Sequence, residues 1–145
     1  MPSPAPLLGL KPSRVLGACG VGVATGQGVF VVDADGAQGR ASLDVLEMSG
    51  ADLGLLVDTP SGGRHAYFTA PDGQWVPNSV KRLSSYPGID IRGDGGFVAA
   101  PGSSYNGKPY ILTADADLHQ APDWLISAAI GGRKQRDKAD TNPLI

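Results

Sequence analysis

Residues 28–36 read GVFVVDADG, and the fold turns on how that stretch is read. Val29, Phe30, Val31 and Val32 are β-branched or aromatic, with no polar residue among them. Such a short apolar run describes a buried strand, and Gly36 ends it. If the extended backbone continues through Asp33 and Asp35, residues two apart share a face, and their Cα atoms lie ~7 Å apart. Two neighbouring carboxylates resist ionising together unless a cation lies between them. One reading is therefore a pair of ligands for Mg²⁺ or Mn²⁺, which take hard oxygen donors. The other is an ordinary turn, because Asp-Gly is a common loop pair.

Working outward, SLDVLEMSGA (residues 42–51) fits a short helix with Ser42 as N-cap and Gly50 near its end. LGLLVDTP (53–60) is a strand broken by Pro60, and RHAYFTA (64–70) is another. Alternation in that strand puts His65, Tyr67 and Thr69 on one face and Ala66 and Phe68 on the other. GIDIRGDGGFVAAP (88–101) reads as two short strands around a Gly-rich turn, and Asn106-Gly107 is a strong hairpin signal. APDWLISAAIGG (121–132) is a closing helix with Pro122 at its start and Gly131-Gly132 at its end. A strand, a helix, several strands and a late helix predict an α+β fold, a mixed or antiparallel sheet with flanking helices.

Composition agrees. Twenty-one glycines and twelve prolines among 145 residues exclude a helical bundle and favour strands joined by turns. The organisation expected is a Pro-rich arm over residues 1–14, one domain over 15–130 and a flexible basic tail over 131–145. No apolar run approaches a membrane span, so no membrane partner is expected. The single cysteine, Cys19, excludes an internal disulfide and fits a reducing, cytoplasmic location. Residues 15–130 hold six Lys/Arg against twelve Asp/Glu, a net of −6. Such a body is a poor general phosphate binder and a reasonable cation binder.

Two further segments carry chemistry. In Thr59-Pro60-Ser61-Gly62-Gly63-Arg64-His65 the glycines allow close backbone approach and amides aimed at an anion, with Arg64 and His65 as added donors. That makes a plausible triphosphate site, though not a P-loop, since no Gly-Lys-Ser/Thr follows. In Gly88-Ile89-Asp90-Ile91-Arg92, Asp90 and Arg92 share a strand face, either as part of a site or as a surface ion pair. Trp75, Tyr86 and Tyr105 fall in turn regions, where aromatics stack on bases or, more often, cover a small core.

Taken in order, GVGVATGQGVFVVDADG, LVDTPSGGRHAYF, YPGIDIRGDGGFVAAPGSSY and PDWL resemble the N-terminal domain of bifunctional DNA primase/polymerases, the Prim-Pol domain of the archaeo-eukaryotic primase superfamily. The resemblance runs over roughly residues 20–126. It implies an RNA-recognition-motif-like catalytic half and nucleotidyl transfer in replication of a phage, plasmid or integrated element. In that family a D-x-D or D-x-E pair and a later aspartate hold divalent metals, and a histidine after small residues contacts the incoming nucleotide's phosphates. Carried over, this implies Asp33, Asp35 and Asp90 as catalytic metal ligands and His65 at the triphosphate. Gly62, Gly63, Arg64 and Arg92 complete the nucleotide-binding set. The implied partners are nucleoside triphosphates and a single-stranded DNA template.

Typical members carry a further half-domain before the D-x-D strand, whereas here that position holds a Pro-rich stretch. The expectation is an N-terminally truncated catalytic half, with a second chain or a helicase supplying the remaining contacts. The rival expectations are a non-catalytic nucleotide- or nucleic-acid-binding remnant, a module for a replication partner, and a hydrolase acting on a small phosphoester.

Overall fold

The computed structural model describes residues 20–72, 74–79, 83 and 85–131, together with the backbone of 12–15. The arm expected over residues 1–14 therefore falls outside them up to Lys11, and its last three residues enter a strand. Cys19 and the basic tail beyond Gly131 also lie outside the described residues.

The chain is α+β. The elements of its larger sheet are β3 (Val29–Ala34), β4 (Leu56–Asp58), β5 (Arg64–Thr69), β6 (Ile89–Arg92) and β10 (Ile111–Ala114), in the order β10-β4-β5-β3-β6. All of these pairings are antiparallel. A two-residue strand, β11 (His119–Gln120), adds to β5 in parallel, so the sheet is mixed. A smaller sheet joins β1 (Pro12–Val15), β2 (Val21–Ala24) and β7 (Phe97–Ala99). A hairpin is formed by β8 (Ser104–Tyr105) and β9 (Lys108–Pro109). The helices are α1 (Gly36–Met48) and α2 (Asp123–Ile130). Among the described residues no helix is long and apolar enough to cross a membrane.

Strand β3 is central because both its faces are apolar. Phe30, Val31 and Val32 are all fully buried. Phe30, Val32 and Ala34 pack with Ala66 and Phe68 of β5, Ile89 and Ile91 of β6, Leu43 and Leu46 of α1, and Leu125 and Ala129 of α2. The Phe30 and Phe68 rings stack with centroids 5.6 Å apart. This is the helix-covered face. On the opposite face Val31 packs with Val57, Tyr67 and Leu55, and with Val23 and Val98 from the smaller sheet. Opposite faces of one strand thus feed two cores.

Helix α1 begins six residues earlier than Ser42, the N-cap expected from the sequence; the N-cap is Asp35. The first turns contain Gly36 and Gly39, which disguise a helix in a sequence because glycine is a poor helix former. Gly39 is there for space: a Cβ on it would lie 2.6 Å from the Ala34 carbonyl carbon and 2.7 Å from the Gly88 oxygen. Ser42 instead sits buried in mid-helix and donates its hydroxyl to the Pro87 carbonyl at 2.6 Å. At the chain's far end Gly131 caps α2 in the left-handed conformation, φ 66°, as its position predicted. The strands β6 and β7 flank a Gly-rich turn as read, but they join different sheets.

Candidate functional site

The antiparallel register places Asp33 directly opposite His65 on one side and Asp90 on the other. Val57 lies opposite His65 in turn. Residues in register share a face, so Val57, His65, Asp33 and Asp90 form one row across four strands. That row is on the face away from α1 and α2, next to the Val31–Val57–Tyr67 cluster. Arg92, two residues after Asp90, joins the same face.

These side chains touch. His65 Nε2 lies 3.3 Å from Asp33 Oδ1. Arg92 Nε and Nη2 each lie 3.4 Å from Asp33 Oδ2, and Nη2 is 3.8 Å from Asp90 Oδ2. Burial pushes the Asp33 carboxyl up, but the His65 hydrogen bond, with the His65 and Arg92 charges, outweighs it and holds the carboxyl below its ordinary value. His65 is buried, and its Nδ1 has no hydrogen-bond partner. Beside it, the fully buried Tyr67 has an unpartnered hydroxyl, and burial pushes that phenol far up.

Asp35 follows the end of β3 with extended backbone, φ −96° and ψ 118°, so the alternation carries one residue past the strand. Its side chain is exposed. Its backbone is pinned: Asp35 N donates to Gly88 O at 2.8 Å, and Asp35 O accepts from Gly39 N at 3.0 Å. The acidic pair and the start of β6 are thereby held together by main chain.

The 59–63 loop behaves differently from the open anion nest expected. Gly62 N donates to Thr59 O and Gly63 N to Thr59 Oγ1, each at 3.1 Å. Both amides are therefore committed within the loop. Gly63 is packed so closely that a Cβ would lie 2.1 Å from Ala34 O. Arg64 is not beside His65 either. Adjacent strand residues point to opposite faces, and Arg64 pairs with Asp58 at 2.7 Å, with Arg40 of α1 3.3 Å from the same oxygen. Of the residues expected from the sequence, the structure brings Asp33, His65, Asp90 and Arg92 together. It leaves Asp35 at the rim and Gly62, Gly63 and Arg64 in a neighbouring structural clamp. Among the described residues no group of three or more His, Cys, Asp or Glu side chains is gathered closely enough to hold a metal ion.

Tyr110 belongs to this neighbourhood and was not singled out from the sequence. Its ring lies 6.0 Å from that of His65. Burial raises its phenol first, and the Asp33 charge and Tyr105 raise it further. The Tyr67 position was legible, since it alternates with His65; Tyr110 had no local signal, because long-range pairing of β10 with β4 brings it there.

Comparison with known proteins matches the family of the bifunctional DNA primase/polymerase, N-terminal domain (Prim-Pol) over residues 13–124. No curated protein matches the chain. The match spans most of the sequence and includes every residue of the Asp33–His65–Asp90 row, and the chain belongs to the Prim-Pol family of primase/polymerase-type domains.

Proposed function

We propose that this domain performs metal-dependent nucleotidyl transfer on a DNA template, with Asp33, Asp35 and Asp90 as metal ligands, His65 holding the Asp33 carboxylate and Arg92 facing the triphosphate. The observation that carries this reading is the row itself: Asp33, His65 and Asp90 in register on adjacent strands of one face. The donor chemistry suits Mg²⁺ or Mn²⁺, because carboxylate oxygens are the ligands such cations take. The site also already accommodates positive charge, since the Arg92 guanidinium lies within 3.8 Å of both Asp33 and Asp90.

In the reaction an acceptor hydroxyl attacks the α-phosphate of an incoming nucleotide and pyrophosphate leaves. The bound ions would act as Lewis acids, stabilising charge on the attacking and leaving oxygens. The chain's own residues do the rest. His65 Nε2–H donates to Asp33 and fixes its orientation, as an outer-sphere partner does for a ligating carboxylate. Arg92 offers a planar set of donors to the nucleotide's phosphates. Val31, Val57 and Tyr67 keep one side of the row dry, which strengthens every charge interaction there. The Thr59–Gly63 turn and the Asp58–Arg64–Arg40 cluster set where β5 begins, and with it His65.

The test is nucleotide incorporation by primer extension with Mn²⁺, combined with Mn²⁺ calorimetry. Asp33→Asn with Asp90→Asn should abolish both. Incorporation that survives the double substitution overturns the assignment. Mn²⁺ binding that depends on the pair, without incorporation by the parent chain, favours a nucleotide-binding module over an enzyme.

A further inference from the structure

We propose that the β8–β9 hairpin is a contact for single-stranded DNA, in which Tyr105 stacks on a nucleobase and Lys108 binds the adjoining phosphate. The proposal rests on the primase/polymerase reading of the site, and names the surface that would hold a strand beside it.

Tyr105 and Lys108 are direct cross-strand partners, so an aromatic face and a cation lie on the same side of one ribbon. The ribbon is rigidly specified. Asn106 and Gly107 both have left-handed backbones, φ 50° and 77°, the geometry of a tight two-residue hairpin turn. Its base is tied to the body by Tyr110 N donating to Ser103 O at 2.7 Å and Gly102 N to Tyr110 O at 2.9 Å. Tyr105 is 63% exposed, so the hairpin displays the ring to solvent.

One exposed tyrosine is ordinary; its cation is what distinguishes this one. Among the described side chains, Arg40 and Arg64 are paired to Asp58, and Arg92 to Asp33 and Asp90. Lys108 alone of the lysines and arginines with described side chains has no acidic partner. Among the described side chains it is therefore the cation with no carboxylate to compete for it when a strand's phosphate approaches. The hairpin is also in the right place. The residue after Pro109 is Tyr110, whose ring packs 6.0 Å from that of His65. A nucleotide unit presents a π-face and a phosphate in fixed relation, which is what Tyr105 and Lys108 offer together. Stacking is indifferent to base identity, as a template contact has to be.

The experiment is fluorescence anisotropy of a labelled oligothymidylate with the full chain, over a range of salt, for the parent, Tyr105→Ala, Tyr105→Trp and Lys108→Gln. Both positions are exposed, and thermal melting checks that each variant folds. Tyr105→Ala should weaken binding about tenfold, while Tyr105→Trp retains it. Lys108→Gln should weaken binding and reduce the slope of log affinity against log salt by about 0.7, one phosphate's share on a single strand. Mn²⁺ calorimetry on the same variants should be unchanged. The proposal is overturned if the parent does not bind the oligonucleotide, if both positions are indifferent, or if Tyr105→Trp binds as weakly as Tyr105→Ala. Oligonucleotide binding that depends on Tyr105 in a chain that binds no Mn²⁺ would leave this contact standing and remove the metal assignment.

Discussion

Asp33 and Asp90 face each other across two antiparallel strands, and Arg92 Nη2 sits between their carboxylates, 3.4 Å from one and 3.8 Å from the other. The guanidinium supplies the positive charge that two neighbouring carboxylates need. A divalent ion entering the same place would have to displace it.

That competition gives a prediction with an unusual sign. Arg92→Gln should tighten Mn²⁺ binding by about tenfold, ~1.4 kcal/mol, because the carboxylates lose their internal counter-charge. The same substitution should weaken nucleoside triphosphate binding in the presence of the ion. Calorimetric titration with Mn²⁺ decides; unchanged or weaker Mn²⁺ binding would show that Arg92 does not stand in for the cation.

Gly39→Ala should destabilise the domain, although alanine in a helix interior is ordinarily better than glycine by ~1 kcal/mol. The added Cβ would meet backbone of Ala34 and Gly88 at 2.6 and 2.7 Å, and neither can move without shifting β3 or β6. A loss of about 2 kcal/mol or more in urea unfolding is expected. A gain in stability would mean that α1 can lift from the sheet.

Ser42→Ala should cost ~1–2 kcal/mol, because the buried hydroxyl bond to Pro87 O at 2.6 Å is lost and the carbonyl is left without that donor. Thermal melting should drop by a few degrees. A neutral result would mean that water replaces the hydroxyl.

The Arg64 hydrogen bond holds the Asp58 carboxyl below its ordinary 3.8, against the upward push of burial, with help from the Arg64 and Arg40 charges. A depressed folded-state value contributes stability that is fully present above pH 3.8 and is lost as pH falls through the folded value. The urea midpoint of the parent should therefore decline more steeply below that pH than the midpoint of Asp58→Asn. Parallel acid limbs in the two proteins would show that the Asp58–Arg64 pair adds nothing to folding. Asp33 contributes in the same direction in both proteins, so the comparison isolates Asp58.

The central strand was legible because its pattern is strong: Phe30, Val31 and Val32 are all fully buried, as a continuous apolar run requires. The alternation within RHAYFT likewise put His65 and Tyr67 on one face, where the structure has them. The same alternation also sends Arg64 to the face opposite His65, where it pairs with Asp58, so the two neighbours do not form one site. The start of α1 was hidden because Gly36 and Gly39 answer to close packing against β3 and Gly88, which local propensity does not encode. Likewise the Gly62-Gly63 pair has the sequence of an anion cradle, but in the fold Thr59 accepts both of its amides. Tyr110 had no sequence signal because the site residues it adjoins, His65 and Asp33, lie some forty-five and seventy-seven positions away.

The stitching of Asp35 N to Gly88 O and of Gly39 N to Asp35 O is made entirely of main-chain atoms. The backbone at this corner of the sheet is therefore indifferent to the Asp35 carboxylate. Replacing Asp35 by Asn removes a charge but none of these bonds, so the shape of the chain there is preserved. The domain thus lends itself to a matched control: a folded copy with the same backbone at this corner and one charge fewer on its surface.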